Sequence, residues 1–340
     1  MKNTNITVED IAKALNLSRN TVSKVLNGKR VSAKTRMAVL GMVEKLNYKN
    51  VASVNKSENL KGKTVLLISS NLLMNIPFHI YAMKGMETVL MNHNASFVRY
   101  TISKNADENA VKNYLEKLNV DAIICAEFFQ SNLVEAVLSL NLPTVFLDFT
   151  RGKVKTTAQY DIVSTENINS VKEYCETLIG EGCKSFGFVG DINNCLSFYE
   201  RYLGMRCAIE ENGLTYNPKC SIMENNALPY SDISKITNLI KNCDLPDCFV
   251  CANDFLALIM LDTLNNMGIN VPEKVKIIGF ENSVESNISN PTLSTINVNK
   301  IDLGKRVVST LLSRMKHRSY STRYIYVKGD PIRRASTNYK

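Results

Sequence analysis

The stretch from Thr7 to Asn27, TVEDIAKALNLSRNTVSKVLN, constrains the fold of this chain more than any other. Apolar residues recur between Val8 and Leu15 at the i, i+3, i+4, i+7 spacing of a short helix with one buried face. Thr7 is suited to cap the start of that helix, and Ser18 to cap a second helix with its own apolar stripe. The segment therefore predicts two short helices joined by a tight turn.

The exposed face of the second predicted helix is polar and basic, and it carries no acid. Arg and Lys can donate to guanine O6 and N7, Asn can pair with adenine, and hydroxyls can bind phosphate or base edges. This is the chemistry of a recognition helix in a major groove, although a solvated helix with ordinary surface charge is the alternative. The residues on this face are Arg19, Asn20, Thr21, Ser23 and Lys24.

The charge of the chain is concentrated at its beginning. Of 41 basic and 32 acidic residues in 340, residues 1–63 hold 13 basic and 4 acidic ones, so the remainder is balanced. A neutral body with a basic head is expected of a protein that docks one end on a polyanion, and double-stranded DNA is the predicted partner. The length predicts two or three domains.

Several function classes find no support in the sequence. No apolar run approaches the roughly 18 residues of a membrane span, and the beginning lacks the pattern of a signal peptide, so we expect a cytoplasmic protein. The nine cysteines show no disulfide spacing, and the CxxC of Cys248 and Cys251 lies in an apolar run typical of a buried strand. There is no phosphate loop, nucleophile elbow or zinc-protease motif, so we expect no enzyme, no metal and no cofactor.

The chain after Thr64 alternates between predicted strands and helices, which favours parallel sheets covered by helices. The pattern begins again near residue 186, so we expect two similar α/β lobes with a cleft between them. The predicted strands are 64–69, 96–100, 121–126, 143–148, 186–190, 221–224, 248–252 and 275–280. The predicted helices are 78–91, 108–118, 132–140, 167–181, 197–212, 231–242 and 254–267.

Residues 7–48 resemble the DNA-binding headpiece of the LacI/GalR family of bacterial transcription repressors. The resemblance includes the run T-V-S-K-V-L-N-G at 21–28 and V-S-x-x-T-R at 31–36. The remainder is similar to the family's two-lobed regulatory domain of the type I periplasmic-binding-protein kind, with S-x-x-x-R-x-x-G at 197–204 and A-N-D-F-L-A-L at 252–258. The implied fold class is an all-α helix-turn-helix headpiece followed by a two-lobed α/β domain with parallel sheets.

The resemblance also implies domain boundaries and DNA contacts. The headpiece would span 1–48, a linker or degenerate hinge 49–63, and the two-lobed effector-binding and dimerisation domain 64–340. The first lobe would hold about 64–162 and 290–322, the second about 163–289 and 323–340. In the hinge, Asn50 stands where the family has Pro, and Lys56 or Ser57 where it has the Leu that wedges into the minor groove. The base-reading positions would be Arg19, Asn20 and Lys24, and the phosphate contacts Thr7, Ser18, Ser23, Asn27, Ser32 and Thr35.

Polar residues follow the predicted strands, at the ends where ligands bind in open parallel sheets. Arg201 is the strongest candidate, because a lone Arg in a stretch that packs as a helix suggests bidentate recognition. His79 is equally compatible with a satisfied structural role, and Asp148 and Asp254 with helix caps. Carried over from the family, the expected effector contacts are Ser69, Phe78, His79, Asp148, Arg201, Asn253 and Glu281.

The implied function is a sequence-specific, nucleoid-associated transcriptional repressor that acts as a homodimer. A small polar effector, a sugar or related metabolite, would bind between the lobes and change the affinity for operator DNA. The alternative is a regulator whose cleft is degenerate and which responds to no ligand or to a protein partner. If the headpiece binds DNA and the cleft binds the effector, Arg201→Ala should abolish the effector response and leave operator binding intact.

Overall fold

The computed structural model describes residues 7–26, 31–45, 60–70, 77–103, 106–223 and 233–338. The chain divides into two compact units, Met1–Lys61 and Gly62–Lys340. Residues 46–59 lie outside the described ranges, so the predicted boundary at residue 48 and the predicted hinge stay predictions. Within the described ranges, no helix combines the length and apolar character that a membrane crossing requires.

The first unit is a three-helix bundle: α1 (Val8–Ala14), α2 (Arg19–Leu26) and α3 (Ala33–Lys45). Thr7 and Asp10 form a reciprocal capping box at the start of α1, which satisfies two backbone donors that the first turn leaves unpaired. The apolar stripes of the three helices meet in a small core of Ile11, Ala12, Val22, Val25, Leu26, Val39 and Val43. This arrangement confirms the predicted helix-turn-helix unit.

The described part of the second unit contains two parallel sheets with helices on their faces and a two-stranded antiparallel sheet. The first-lobe sheet has six parallel strands in the order β10-β5-β4-β3-β1-β2. Its central strands β3 and β4 are buried throughout, as expected where helices cover both faces. The strands are β1 (Thr64–Ser70), β2 (Ser96–Ile102), β3 (Ala122–Ala126), β4 (Thr144–Leu147), β5 (Asp161–Thr165) and β10 (Arg323–Val327). The helices are α4 (Pro77–Asn92), α5 (Glu108–Lys117), α6 (Ser131–Leu138) and α11 (Lys300–Lys316).

The second lobe has a parallel sheet in the order β6-β7-β8 and a two-stranded antiparallel pair, β9 with β11. Its strands are β6 (Phe186–Val189), β7 (Cys248–Cys251), β8 (Lys276–Ile278), β9 (Thr295–Asn297) and β11 (Asp330–Ile332). Its helices are α7 (Ile168–Gly180), α8 (Leu196–Glu211), α9 (Ile233–Lys241) and α10 (Asp254–Asn266), with short 3-10 turns at Pro218–Cys220 and Glu285–Asn287. Of the predicted strand 221–224, residues 221–223 are described, and they form one bridge, between Val189 and Ile222.

The predicted assignment of 323–327 to the second lobe is wrong. Strand β10 pairs in parallel with β5 and forms one edge of the first-lobe sheet. The prediction of 290–322 as first lobe is also wrong in part, because β9 lies with β11 in the second lobe. The physical reason is β5, which sequence analysis did not recognise as a strand and which supplies the partner for β10.

A buried carboxylate fixes this pairing. Asp161, at the start of β5, is 0% exposed and accepts hydrogen bonds from Arg314 of α11 at 2.5 and 2.9 Å. Arg323, its register partner in β10, donates to it at 2.7 and 3.0 Å. Burial alone would raise the pKa of Asp161, but these hydrogen bonds and charges hold the pKa below its ordinary value.

The strand pairings also show where the chain passes from one lobe to the other. It crosses after β5, after β9 and after β10.

Candidate functional site

The exposed face of α2 carries the residues expected to read DNA. Arg19, Asn20 and Lys24 are exposed, whereas Thr21 and Ser23 are half-buried. Val22, Val25 and Leu26 on the opposite face are buried in the core, which fixes the direction in which the polar face points. The described part of α2 therefore presents the three predicted base-reading side chains together.

The predicted phosphate contacts have a structural duty in the helix caps. Thr7 accepts a hydrogen bond from the Asp10 amide at 3.3 Å, and Ser18 accepts one from the Thr21 amide at 3.0 Å. Ser32 accepts one from the Thr35 amide at 3.2 Å, and its hydroxyl lies 2.7 Å from that of Thr35. These hydroxyls therefore define the three helix N-termini, where backbone amides favour an anion such as phosphate.

Of the remaining DNA contacts, Asn27 lies outside the described residues. Its role, like the phosphate contacts of the cap hydroxyls, stays a prediction.

The second unit contains a cavity of about 510 Å³ between the two lobes. It lies beyond the carboxyl ends of strands from both sheets, as expected for open parallel sheets. The first lobe contributes Phe78, His79, Ile102, Ser103, Glu127, Phe128, Phe129, Gln130, Leu133, Leu147, Asp148, Ser164, Thr165 and Leu303. The second lobe contributes Asp191, Asn194, Cys195, Ser197, Phe198, Arg201, Asn253 and Glu281. Six of the seven predicted effector contacts meet there.

Ser69 is the exception, since it does not line this cavity, and its role as an effector contact stays a prediction. Strand β1 continues to Ser70, so Ser69 lies inside the strand and is 1% exposed. It borders a smaller adjoining cavity of about 230 Å³, which also touches His79 and Leu147.

Arg201, on the second turn of α8, is 7% exposed and ties several parts of the unit together. Its Nε donates to Asn167 Oδ1 at 2.9 Å, and Nη1 donates to the carbonyl of Ala252 at 2.5 Å. Its Nη2 donates to the Thr165 hydroxyl at 3.3 Å, and the guanidinium lies 3.7 Å above the Phe280 ring. Burial lowers the pKa of Arg201. The protein itself therefore occupies one donor on each guanidinium nitrogen, which leaves one N–H on each of Nη1 and Nη2.

Asp148 connects the lobes at the edge of the cavity. It adopts a positive φ of 63°, and its Oδ1 accepts from the Phe149 amide at 2.7 Å. Its Oδ2 accepts from the Ser197 hydroxyl at 2.5 Å and from the Cys195 thiol at 3.3 Å. Asp148 is therefore a cross-lobe hydrogen-bond acceptor rather than the cap of a helix.

The main chain closes the same edge of the cavity. Leu196 donates its amide to Phe149 at 3.0 Å, and Arg151 donates its amide to Asn194 at 2.9 Å. The Arg151 guanidinium lies 3.7 Å above the ring of Tyr199. The lobes are thus in direct contact beside the cavity as well as through the three crossings.

Glu281 follows β8 and adopts a positive φ of 107°. Burial and the negative charge of Asp254 raise the pKa of Glu281 above its ordinary value. Asp254, at 0% exposed, is held by the Ser283 amide at 2.6 Å and the Thr295 hydroxyl at 2.5 Å, and burial raises its pKa to about 6. Asp254 thus braces the loop after β8, while Asn253 caps α10 by accepting from the Leu256 amide at 3.0 Å.

His79 lies at the start of α4, where its Nε2 shares a short hydrogen bond with Glu127 Oε1. Its Nδ1 is buried and has no hydrogen-bond partner among the described residues. Phe78 and Phe198 supply apolar faces from the two lobes. Sequence analysis missed Glu127, although it follows β3 as Asp148 follows β4, so the same strand-end rule would have found it.

Residues 7–50 match the lacI family of bacterial regulatory proteins, and residues 175–337 match the periplasmic binding protein-like domain. The HTH-type transcriptional repressor PurR of Haemophilus influenzae is 28% identical over 319 residues that cover 92% of each chain. PurR of Pasteurella multocida is 29% identical over 321 residues, which cover 92% of this chain and 93% of that protein. The chain belongs to the lacI family. It is a DNA-binding transcriptional regulator, and the family is not one of enzymes.

Solved structures of lacI-family proteins share the fold. The CelR regulator in complex with cellobiose matches with a TM-score of 0.72 and 22% identity, covering 97% of this chain and 99% of that chain. The Lac repressor dimer bound to operator and an anti-inducer matches with a TM-score of 0.68 and 20% identity, covering 98% and 99%. These likenesses confirm the predicted fold class of a headpiece followed by a two-lobed α/β domain.

Proposed function

We propose that this lacI-family protein is a transcriptional repressor whose affinity for operator DNA is controlled by a small polar effector bound between its lobes. The observation that carries the proposal is the cavity of about 510 Å³, which has hydrogen-bonding groups and aromatic faces from both lobes. A volume in this range fits a small metabolite. The relatives named above include a protein solved with cellobiose, which supports a sugar-like ligand here.

The charge of the cavity narrows the chemistry of the effector. Four acidic side chains line it, those of Glu127, Asp148, Asp191 and Glu281, and burial favours the protonated form of Glu281. Arg201 opposes them, with three of its donors already bonded to the protein. A phosphate or carboxylate would meet repulsion from the acids, so the site favours an uncharged or cationic ligand rich in hydroxyl or amino groups.

DNA binding is proposed to use the exposed face of α2, with Arg19, Asn20 and Lys24 in the major groove. A homodimer would place two such helices on the two halves of a symmetric operator. The Lac repressor has been solved as an operator-bound dimer, which supports this assembly. Since its proposed binding partner is chromosomal DNA, we propose that the protein acts in the cytoplasm, associated with the nucleoid.

The proposed function is tested by two measurements on the full-length protein. Genomic fragments retained by the protein are sequenced to obtain its operator, and thermal shift with a panel of neutral sugars, amino sugars and sugar phosphates identifies ligands. A ligand at a hundred times its Kd stabilises by about 2.7 kcal/mol, or about 5–10 °C in this unit. We expect neutral or amino sugars to raise the melting temperature and to change operator affinity, and sugar phosphates to do neither.

A matched pair of variants ties the response to the cavity. Glu281→Gln removes a cavity carboxylate, whereas Glu285→Gln makes the same change at an exposed site outside the cavity lining. We expect only Glu281→Gln to alter the shift caused by an active ligand. If the operator is found but no compound changes its affinity, the alternative of a ligand-independent or partner-controlled regulator replaces this proposal.

A further inference from the structure

The base-reading face of the headpiece carries an ion pair that sequence analysis did not anticipate. Glu9 lies in the first turn of α1 and Arg19 is the first residue of α2. Arg19 Nε lies 2.8 Å from Glu9 Oε1. The Arg19 side chain is 74% exposed and that of Glu9 47%, so the pair lies on the surface and not in the core.

The capping of α1 does not require the Glu9 carboxylate. Asp10 already performs that task, since its Oδ2 accepts from both the amide and the hydroxyl of Thr7 at 2.7 Å. Glu9 therefore has one specific contact among the described residues, and that contact is Arg19. An acid on a surface that meets phosphates opposes DNA binding unless it has a compensating role.

The geometry of the pair provides such a role. Guanidinium has five donors in a planar fork, and the Glu9 carboxylate lies beside the one on Nε. The two terminal nitrogens form the end of the fork, and their spacing matches O6 and N7 of guanine. An Arg side chain that is restrained at Nε directs its two terminal nitrogens along a fixed direction. It therefore loses less side-chain entropy when it binds a base.

We propose that Glu9 is a positioning residue for base recognition, which holds Arg19 so that its terminal nitrogens read one guanine in each half-site. This inference rests on the proposed function. The carboxylate also repels phosphates, so it weakens binding to random sequence while it sharpens binding to the operator. Asp10 cannot substitute for it, because its carboxylate is engaged by Thr7.

The test uses full-length protein and a pool of duplexes with a randomised central region, from which the wild type selects its preferred sequence. Affinities are then measured for that duplex, for each of its single base-pair changes and for a random-sequence duplex. The variants are Glu9→Gln, Arg19→Ala and the double variant. Glu44→Gln is the control, since it removes the same charge from α3 of the same unit.

Arg19→Ala is expected to lower discrimination at one base pair of each half-site by about fivefold to 150-fold. Glu9→Gln should lower discrimination at that same base pair by about twofold to fivefold, the range of an exposed ion pair, and should raise affinity for the random duplex. In the Arg19→Ala background, Glu9→Gln should have no further effect on discrimination. Glu44→Gln should leave discrimination unchanged at every position.

Two results for the Glu9→Gln variant would overturn the inference. A Glu9→Gln variant that loses affinity equally for all duplexes would assign the acid to headpiece stability alone. One that keeps full discrimination at the base pair read by Arg19 would leave the acid without a positioning role. If the wild type selects a sequence, these results leave the proposed function standing; if it selects none, the function and the inference fail together.

Discussion

Arg201→Ala is expected to destabilise the Gly62–Lys340 unit as well as to change its cavity. The variant removes donors from Asn167 Oδ1, the Ala252 carbonyl and the Thr165 hydroxyl, in a side chain that is 7% exposed. Breaking a buried charged contact of this kind costs about 3–5 kcal/mol. That is about a fifth or more of the total stability typical of a domain. The sequence-based expectation of a purely functional loss is therefore revised.

The assay is unfolding of the variant by heat and by urea. Circular dichroism monitors both transitions, and calorimetry also monitors the thermal one. A loss of 3–5 kcal/mol corresponds to a melting temperature lowered by about 6–20 °C for a unit of this size. Arg206→Ala is the control on the same helix, because the Arg206 side chain is 31% exposed and pairs with Glu210 at the surface. We expect that control to lose about 1–2 kcal/mol.

The reasoning is refuted if Arg201→Ala unfolds within 1 kcal/mol of the wild type, a threshold set by the smallest cost expected for one unmade hydrogen bond. Arg201 would then be held by contacts of little energetic consequence and would serve ligand binding alone. If the unit is destabilised as expected, a lost effector response in this variant cannot be assigned to a lost ligand contact. The same conclusion makes Glu281→Gln the better probe of the cavity.

Three further predictions follow from the second unit. The pKa of Asp161 is lowered on folding, so its contribution to stability is complete above about pH 4 and is lost as pH falls further. Asp161→Asn should therefore weaken the dependence of the free energy of unfolding on pH below about pH 4, as measured by unfolding at a series of pH values. The pKa of Asp254 is instead raised to about 6, so stability should fall by about 2–3 kcal/mol between about pH 4 and pH 6, and Asp254→Asn should remove this slope. Gly304→Ala should lower the melting temperature, at a cost of about 1–3 kcal/mol, because the added Cβ would lie 1.8 Å from the Ala82 carbonyl where α11 packs on α4. Gly180→Ala, with no atom within 4 Å of the added Cβ, should not lower it.

Local patterns predicted most elements of this chain, and long-range pairing was where they failed. Helices α1 and α2 and the strands from β1 to β4 lie within one or two residues of their predicted positions, because each has a clear apolar period or run. Strand β5 begins with a charged residue, Asp161, and its burial depends on Arg314 and Arg323, more than 150 residues away. No local period encodes that contact, so the edge of the sheet was misassigned.

The cavity shows the same limit at the level of single side chains. The rule that polar residues gather at the ends of parallel strands placed Asp148, Asn253 and Glu281 correctly at its lining. It could not show that Asn253 also caps a helix, or that Asp148 accepts from a residue of the other lobe. Such assignments depend on which donors the folded chain brings within 3 Å, and a residue type alone does not contain that information.

The cross-lobe contacts link the cavity to control of the lobes, because a ligand there acts beside groups that already join the two lobes. Asp148 is a lining residue and also the acceptor of Ser197, and Glu281 is a lining residue whose pKa burial raises. A ligand that replaces one such hydrogen bond changes the free energy of lobe contact by about 1–3 kcal/mol. That equals the coupling energy typical of allosteric regulators, so rearranging one or two lining groups suffices to shift the balance between two states.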